Sequence, residues 1–594
     1  NAGVYFENAT IQTNGGDILV KGDGGTNLWG IVTYGGNTIN SGSGTIEWDG
    51  KTSSAGPDPG ILFGLHDIVI PANTSFNSTS TDVAVKLKGS SNTGNGIGVD
   101  GIVTIESSGS GSIDLTGTGA SPHYGIEVGN YYNGSKLNLY AASGEIKVDG
   151  GSMGISVVQT GNQGNALGDS KLTIGQGGTI SSSTSNIKLV GDAFSVTNTN
   201  GLNINASGQL SVLSQGNSFS GPLSWPLTNS TVSNITGLTI GKETNTSNIT
   251  IGSDQTVAGP ISIYGRDIAL SANLTSTLSG ADILTKASGD IVLLDNKSIE
   301  TNLGNVILWS DSDTNNEGSI VLSNNVEINT VNGSTASNLN TGGKIVLAGG
   351  LDDGSNGGTA SDGIPDGFAS SSFGNGIKLG TTEANETQMY SGGGDIVIRG
   401  FSNHSSTNDN RNEVGVWHTG SWVANSGNGS IHIIGKGDNL YGVNFVRSTA
   451  VNNVEDGPKF LSFISNKASG AAITISGTSN TSHGVVFNYN NPKEILATGG
   501  GNISITGSGA GSGYGIFLQN PDILSSGGSI KLDGGTKGIY VADAGSHLGA
   551  KTGSSITNST SNITLIADVL NFIGASNILT SGTLTVEPSS NSFS

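Results

Sequence analysis

GSIKLDGGTKGIYV, residues 528–541, repeats the outline of GEIKVDGGSMGISV, residues 144–157. Each copy has a glycine, a short apolar/polar alternation, an Asp-Gly-Gly corner and a second alternation opening on Gly-Ile. Alternation marks a strand, because successive side chains leave the backbone on opposite faces. Asp-Gly-Gly supplies the positive φ that a sharp change of direction requires. A strand, a corner and a strand cannot bury their own apolar face. Neighbouring copies must cover it, which is the physical basis of a solenoid.

The same alternation runs outward from this pair in both directions. GGDILVKG (15–22), GSGTIEWDG (42–50), HDIVIP (66–71), VAVKLKG (83–89), GSIDLTG (111–117), SKLTIG (170–175) and GQLSVLS (208–214) are bounded by Gly, Asn, Asp or Ser. No amphipathic helical period follows any of them. The expected fold is all-β, a parallel β-helix drawn out as an elongated rod, with rungs of about twenty to twenty-five residues and two or three short strands each. At about 4.8 Å per rung and about 22 residues to a rung, the chain would make roughly 27 rungs and a rod of about 130 Å. Asn and Ser at the corners are expected to ladder from rung to rung. A string of sandwich domains would need hairpin turns and regular linkers, and neither is visible.

The pattern also repeats at long range. GGDILVKG (15–22) returns as GGDIVIRG (393–400), SGSGTIEWDG (41–50) as SGNGSIHIIG (426–435), and KGSSNTGNG (88–96) as SGTSNTSHG (476–484). Near the end, GNSFS (216–220) returns as SNSFS (590–594), 374 residues on. Order is kept while the offset drifts, as loop insertions in a duplicated array would produce. Residues 1–220 read as the last part of one large unit and 221–594 as a complete second unit. Within the second, 221–373 are regular rungs and 374–594 correspond to 1–220. Leu351–Ser372 is the most polar stretch and reads as a surface loop.

Composition narrows the function classes. The chain has 594 residues, 97 glycines, no cysteine and only 12% charged residues, with a formal charge of −21. The acidic balance repels phosphate backbones, which argues against nucleic acid as a partner, and makes divalent cations natural counterions. No thiolate metal site or disulfide is possible. No apolar run is long enough for a membrane span and no signal peptide opens the sequence, so a mature piece of a longer, exported protein is expected.

Within Val257–Asp313, GPISIYGRDIALSANLTST and GDIVLLDNKSIETNLGNVILWSD, followed by GGKIVLAGG at 342–350, resemble the filamentous-haemagglutinin-like exoproteins of two-partner secretion. The resemblance is clearest over roughly 100 residues. It implies a right-handed parallel β-helix, export through an outer-membrane partner pore, an extracellular or bacterial cell-surface location, and a role in adhesion, aggregation or biofilm.

Three groups of residues invite a chemical reading. DSDTNNEG (311–318) opens like a calcium loop, with oxygens on Asp311, Asp313 and Asn315, but lacks the sixth-position Gly and has Leu322 where a bidentate Glu belongs. Asp352, Asp353, Asp362 and Asp366 form a second candidate for Ca2+; the competing reading makes all of them turn residues. Trp417, His418 and Trp422 in GVWHTGSW offer either a glycan-stacking platform or rings packed inside the column. Enzymes on β-helices need carboxylates on adjacent rungs beside an Arg or Lys. Of the four arginines, Arg266, Arg399, Arg411 and Arg447, only Arg266 with Asp267 and Arg399 with Asp395 approach such a grouping. Asp395 and Arg399 recur as Asp17 and Lys21, which marks a rung position, so no enzymatic role and no required cofactor are expected. The reading is an extracellular structural or adhesive rod contacting cell-surface or matrix glycans, proteins or its own copies. A self-assembling fibre or surface-layer subunit is the alternative, and a polysaccharide lyase or hydrolase a more distant one.

Overall fold

The computed structural model describes residues 2–26, 28–64, 73–129, 134–159, 169–331, 341–372, 374–382, 385–403, 413–446, 461–488, 493–542, 546–552, 555–557, 560–573 and 576–594. Strands make up 52% of the chain and helix 1%. Among the described residues the helical elements are two single 3₁₀ turns, Gly151–Met153 and Ser355–Gly357. The chain is a parallel β-helix in two compact units: Asn1–Gly252 with Ile261–Gly265, and Ser253–Pro260 with Arg266–Ser594.

Each coil contributes three strands, one to each of three parallel faces. In the first unit one coil runs Ile97–Val99, Ile102–Ser107, Ser112–Thr118, and the next runs Ile126–Val128, Lys136–Ala141, Ile146–Asp149. They pair in register, Ile97 with Ile126, Leu139 with Ile105, and Ile113 with Ile146. The second unit repeats the scheme with Val485–Asn488, Lys493–Ala497, Asn502–Ser508 below Ile516–Gln519, Pro521–Ser525, Ile530–Gly535. The one antiparallel strand pair among the described residues joins Ala550–Thr552 to Ser555–Thr557.

Alternation sorts the side chains as expected. Ser112–Thr118 is buried at Ile113, Leu115 and Gly117 and more open at the residues between. Ile113, Ile146, Ile503 and Ile530 are fully buried and stack Ile on Ile from coil to coil. Each such side chain contributes about 1.5–3 kcal/mol. The coils are longer than the expected rung. Third-strand partners lie as close as Ile563 and Leu584 but as far apart as Ile345 and Ile396. Insertions between strands consume the extra residues, so the coils are fewer than the 27 that a constant rung length implies.

Corners hold the coils together in two ways. Carboxylates and amides ahead of the third strand accept backbone N–H groups from the next coil: Asp282 Oδ1 from Asn305 (2.6 Å), and Asn305 Oδ1 in turn from Lys344 (2.8 Å). Asp254, Asn273 and Ser298 form a second such ladder. Glycine pairs form the corner after the third strand. Gly117 lies so close to Gly125 that a Cβ would overlap its carbonyl oxygen, and the same holds for Gly477 on Gly484 and Gly507 on Gly515. In Asp149-Gly150-Gly151 the two glycines divide the work. Gly150 makes the close approach to Gly154, and Gly151 takes a φ of +60° while its N–H donates to Asp149 Oδ1.

Candidate functional site

The stretch Gly350–Phe368 is folded against the outside of the second unit. Its ends are tied by the bridge between Gly349 and Gly367, and Gly318 bridges Ser370 beyond it. Its aspartates do the local folding. Asp352 Oδ2 accepts from Gly363 N, Asp353 Oδ1 from Ser355 N, Asp362 Oδ1 from Ile364 N, and Asp366 Oδ2 from Gly354 N (2.7 Å). Leu351 stays exposed, while Ile364 packs on an outward-facing apolar strip of Ile307, Trp309, Val346, Ala348 and Val397. Trp309 Nε1 donates to Gly350 O (2.8 Å), and the Lys286 ammonium lies 4.1 Å above the Trp309 ring. The expected surface loop is therefore a lid on the outer face, held by an apolar contact that its polar composition does not advertise.

Under this lid lies a cleft of about 260 Å³. Register builds its floor: Val346, Val397, His432 and Thr474 are successive partners across four third strands, and Arg399 with Ile434 forms the next outward row. Lys344, Asp395, Asp362, Asp366, Asn356 and Thr359 complete the wall. Arg399 is 6% exposed; its Nη1 donates to Pro365 O (2.9 Å) and stands 3.8 Å from Asp366 Oδ1. Burial pulls the guanidinium below its ordinary value, and Asp366 and then Asp362 oppose that shift. Among the described residues no atom accepts from the buried Arg399 Nε. Burial also lowers His432, which keeps the ring neutral at pH 7. Asp395 Oδ1 accepts from Ser430 N (2.8 Å), as Asp17 Oδ1 accepts from Thr45 N (2.8 Å). Its recurrence along the sequence thus has a structural cause, the corner ladder, whatever else the carboxylate does.

The remaining sequence candidates fall elsewhere. Asp311 is 2% exposed, accepts from Asn316 N (3.0 Å), and is pushed up to about 6 by burial. Asp313 accepts from the Asn315 amide (3.0 Å), and the Asn315 oxygen accepts from Glu317 N. Among the described residues no three acidic or histidine side chains form a group able to hold a metal ion. Both stretches fold as turns, the competing reading given above.

Trp417, His418 and Trp422 lie on adjoining strands, Val416–Thr419 and Ser421–Asn425. Trp422 and His418 are fully buried, and Trp417 is 8% exposed beneath the Lys378 ammonium. Trp422 packs edge-on against Phe463 (4.7 Å) and beside Phe445 (5.8 Å), in line with Phe487. No ring here presents a face to a sugar. For Trp422 and His418 the physical reason is parity: both occupy inward positions, in register with Leu461 and Phe445 of the next coil, whereas Trp417 points outward and is covered by Lys378. Burial pushes the His418 ring down to about 3. The partly exposed aromatics form a different row, Tyr441, His483, Tyr514 and Tyr540, whose rings stack along successive coils at 4.9–5.8 Å. Tyr514 N donates to His483 Nδ1 (2.7 Å), as Tyr124 N donates to Asn95 Oδ1 in the first unit (2.9 Å). Ring faces in such a row are occupied by each other, so it stiffens the corner. The recurring Tyr-Gly or His-Gly at the start of first strands was its sequence signal.

No protein-family model matches the chain, and neither a curated protein nor a solved structure matches it.

Proposed function

We propose that the chain is a structural and adhesive segment of an extracellular protein, a β-solenoid that projects from or coats a bacterial cell and meets surfaces, glycans or other copies of itself. The observation that carries this reading is the repetition of one coil plan with the same corner chemistry in segments far apart in sequence. Ser41 Oγ donates to Gly44 O as Ser426 Oγ does to Gly429 O, and Asp17 and Asp395 make the same inter-coil bond. Duplication of a scaffold adds reach, whereas a catalytic cleft gains nothing from it. The resemblance to haemagglutinin-like exoproteins points the same way, and so does a surface dominated by Ser, Thr and Asn with a formal charge of −21.

Adhesion as a projecting stalk and self-association as a fibre are two modes of the same coil plan. Electron microscopy of native material distinguishes the two modes: separate rods are expected for an adhesive stalk, and continuous filaments with a regular axial repeat for a fibre. Globular particles without either form would contradict both.

A further inference from the structure

We infer that the cleft beneath Gly350–Phe368 is a binding site for a neutral sugar ring. The inference deepens the proposed glycan contact, yet it stands on the cleft alone. Three observations converge. First, Arg399 is more than nine-tenths buried and lines the cleft with an Nε–H that no atom of the described residues accepts. A buried donor of this kind calls for an acceptor, since leaving it unpaired costs far more than a hydrogen bond returns. Second, the wall combines acceptors and donors in the mixture that hydroxyl groups satisfy: Asp362 and Asp395 to accept, Lys344, Asn356, Thr359 and Thr474 to donate. Third, Val346, Val397 and Ile434 on the floor and Ile364 on the lid give an aliphatic lining for the C–H face of a ring. The volume, about 260 Å³, suits one or two sugar residues.

Charge decides the class of sugar. Lys344 and Arg399 face the carboxylates Asp362, Asp366 and Asp395, so the lining is formally −1 with His432 neutral. A uronate or sulfated sugar adds a second negative charge to that balance, and a neutral hexose does not. The buried Arg399 is held by Asp366 and Pro365 O, which leaves Nε–H as a directed donor to a hydroxyl or ring oxygen. Sequence alone hid this site because the lid that creates it reads as a solvated loop.

The test is a titration of the full chain with the methyl glycosides of glucose, galactose and mannose, and with galacturonate, followed by calorimetry and saturation-transfer NMR. At least one neutral glycoside is expected to saturate the protein in the millimolar range, with galacturonate weaker. Arg399→Lys keeps a positive charge opposite Asp366 but deletes Nε–H, and should weaken binding about tenfold or more. Asp395→Asn keeps an acceptor for Ser430 N, as Asn305 provides for Lys344 N, and should weaken binding with the unfolding midpoint unchanged. The inference is overturned if no neutral glycoside saturates at roughly 50 mM, if both variants bind like the parent, or if galacturonate binds more tightly. None of those outcomes bears on whether native material forms rods or filaments, so failure here is distinguishable from failure of the proposed function.

Discussion

Gly507→Val is expected to lower the stability of the second unit by about 3 kcal/mol or more, seen as a large drop in the urea midpoint of unfolding. Gly507 needs no unusual φ. Its constraint is the Gly515 carbonyl, which occupies the space a side chain would take. The obstacle is backbone at the start of the following strand, Ile516–Gln519, so relief would require opening the corner between the two strands. Gly221→Ala is the control, because a Cβ there meets nothing within 4 Å, and it should leave the midpoint nearly unchanged. Equal effects at the two positions would remove the close corner as the reason for so much glycine.

His418→Leu should reverse the acid sensitivity of the second unit. The ring is fully buried and titrates at about 3, whereas an unfolded histidine titrates near 6.5. Between those values the unfolded chain takes up a proton that the folded chain refuses, so stability falls as pH falls from about 6.5. Each pH unit costs up to about 1.4 kcal/mol, or roughly 3 kcal/mol by pH 4.5. At pH 7 the leucine variant is expected to be less stable by about 1–3 kcal/mol, since the hydrogen bond between His418 and the Ser421 backbone is lost. Between pH 7 and 4.5 that deficit should shrink and change sign. A deficit that stays constant with pH would mean that His418 is not the proton-sensitive group. Asp311 carries the opposite slope: raised to about 6, it favours the folded state below its unfolded value near 3.8 and loses that contribution as pH rises through about 6. The wild-type profile mixes the two, so the comparison must be between wild type and variant at each pH.

These two residues mark what was and was not legible in the sequence. Alternation of apolar and polar residues is a local property. It therefore identified Ser112–Thr118 and Lys171–Gly175 as strands, and their repetition without helices implied parallel coils. The Asn part of the inter-coil ladder was also foreseeable, because corner polar groups need partners, but the Asp carboxylates in it were not expected. The role of Gly507 was half legible: glycine at a corner signals either positive φ or close approach, and only the neighbouring coil decides which. Trp422 and His418 were ambiguous because GVWHTGSW has a single aliphatic residue, Val416, and a strand of unfamiliar composition conceals which parity points inward. The insertion lengths were not legible at all, since loops are free to vary wherever they leave the strand register intact. The site under Gly350–Phe368 follows from that freedom. Its floor residues are spread from Val346 to Thr474, and only in-register stacking places Val346, Val397, His432 and Thr474 in one row.

That stacking is open to a direct measurement, because the chain has no cysteine to complicate it. Ser504 and Lys531 are outward-facing partners on adjacent coils. With strands about 4.8 Å apart, their Cα atoms fall within disulfide reach. Ser504→Cys with Lys531→Cys should therefore cross-link quantitatively under mild oxidation. Ser504→Cys with Asp533→Cys, displaced two residues to about 8 Å, should not. Efficient bridging of the displaced pair, with none between the first, would contradict the parallel register on which every site described above depends.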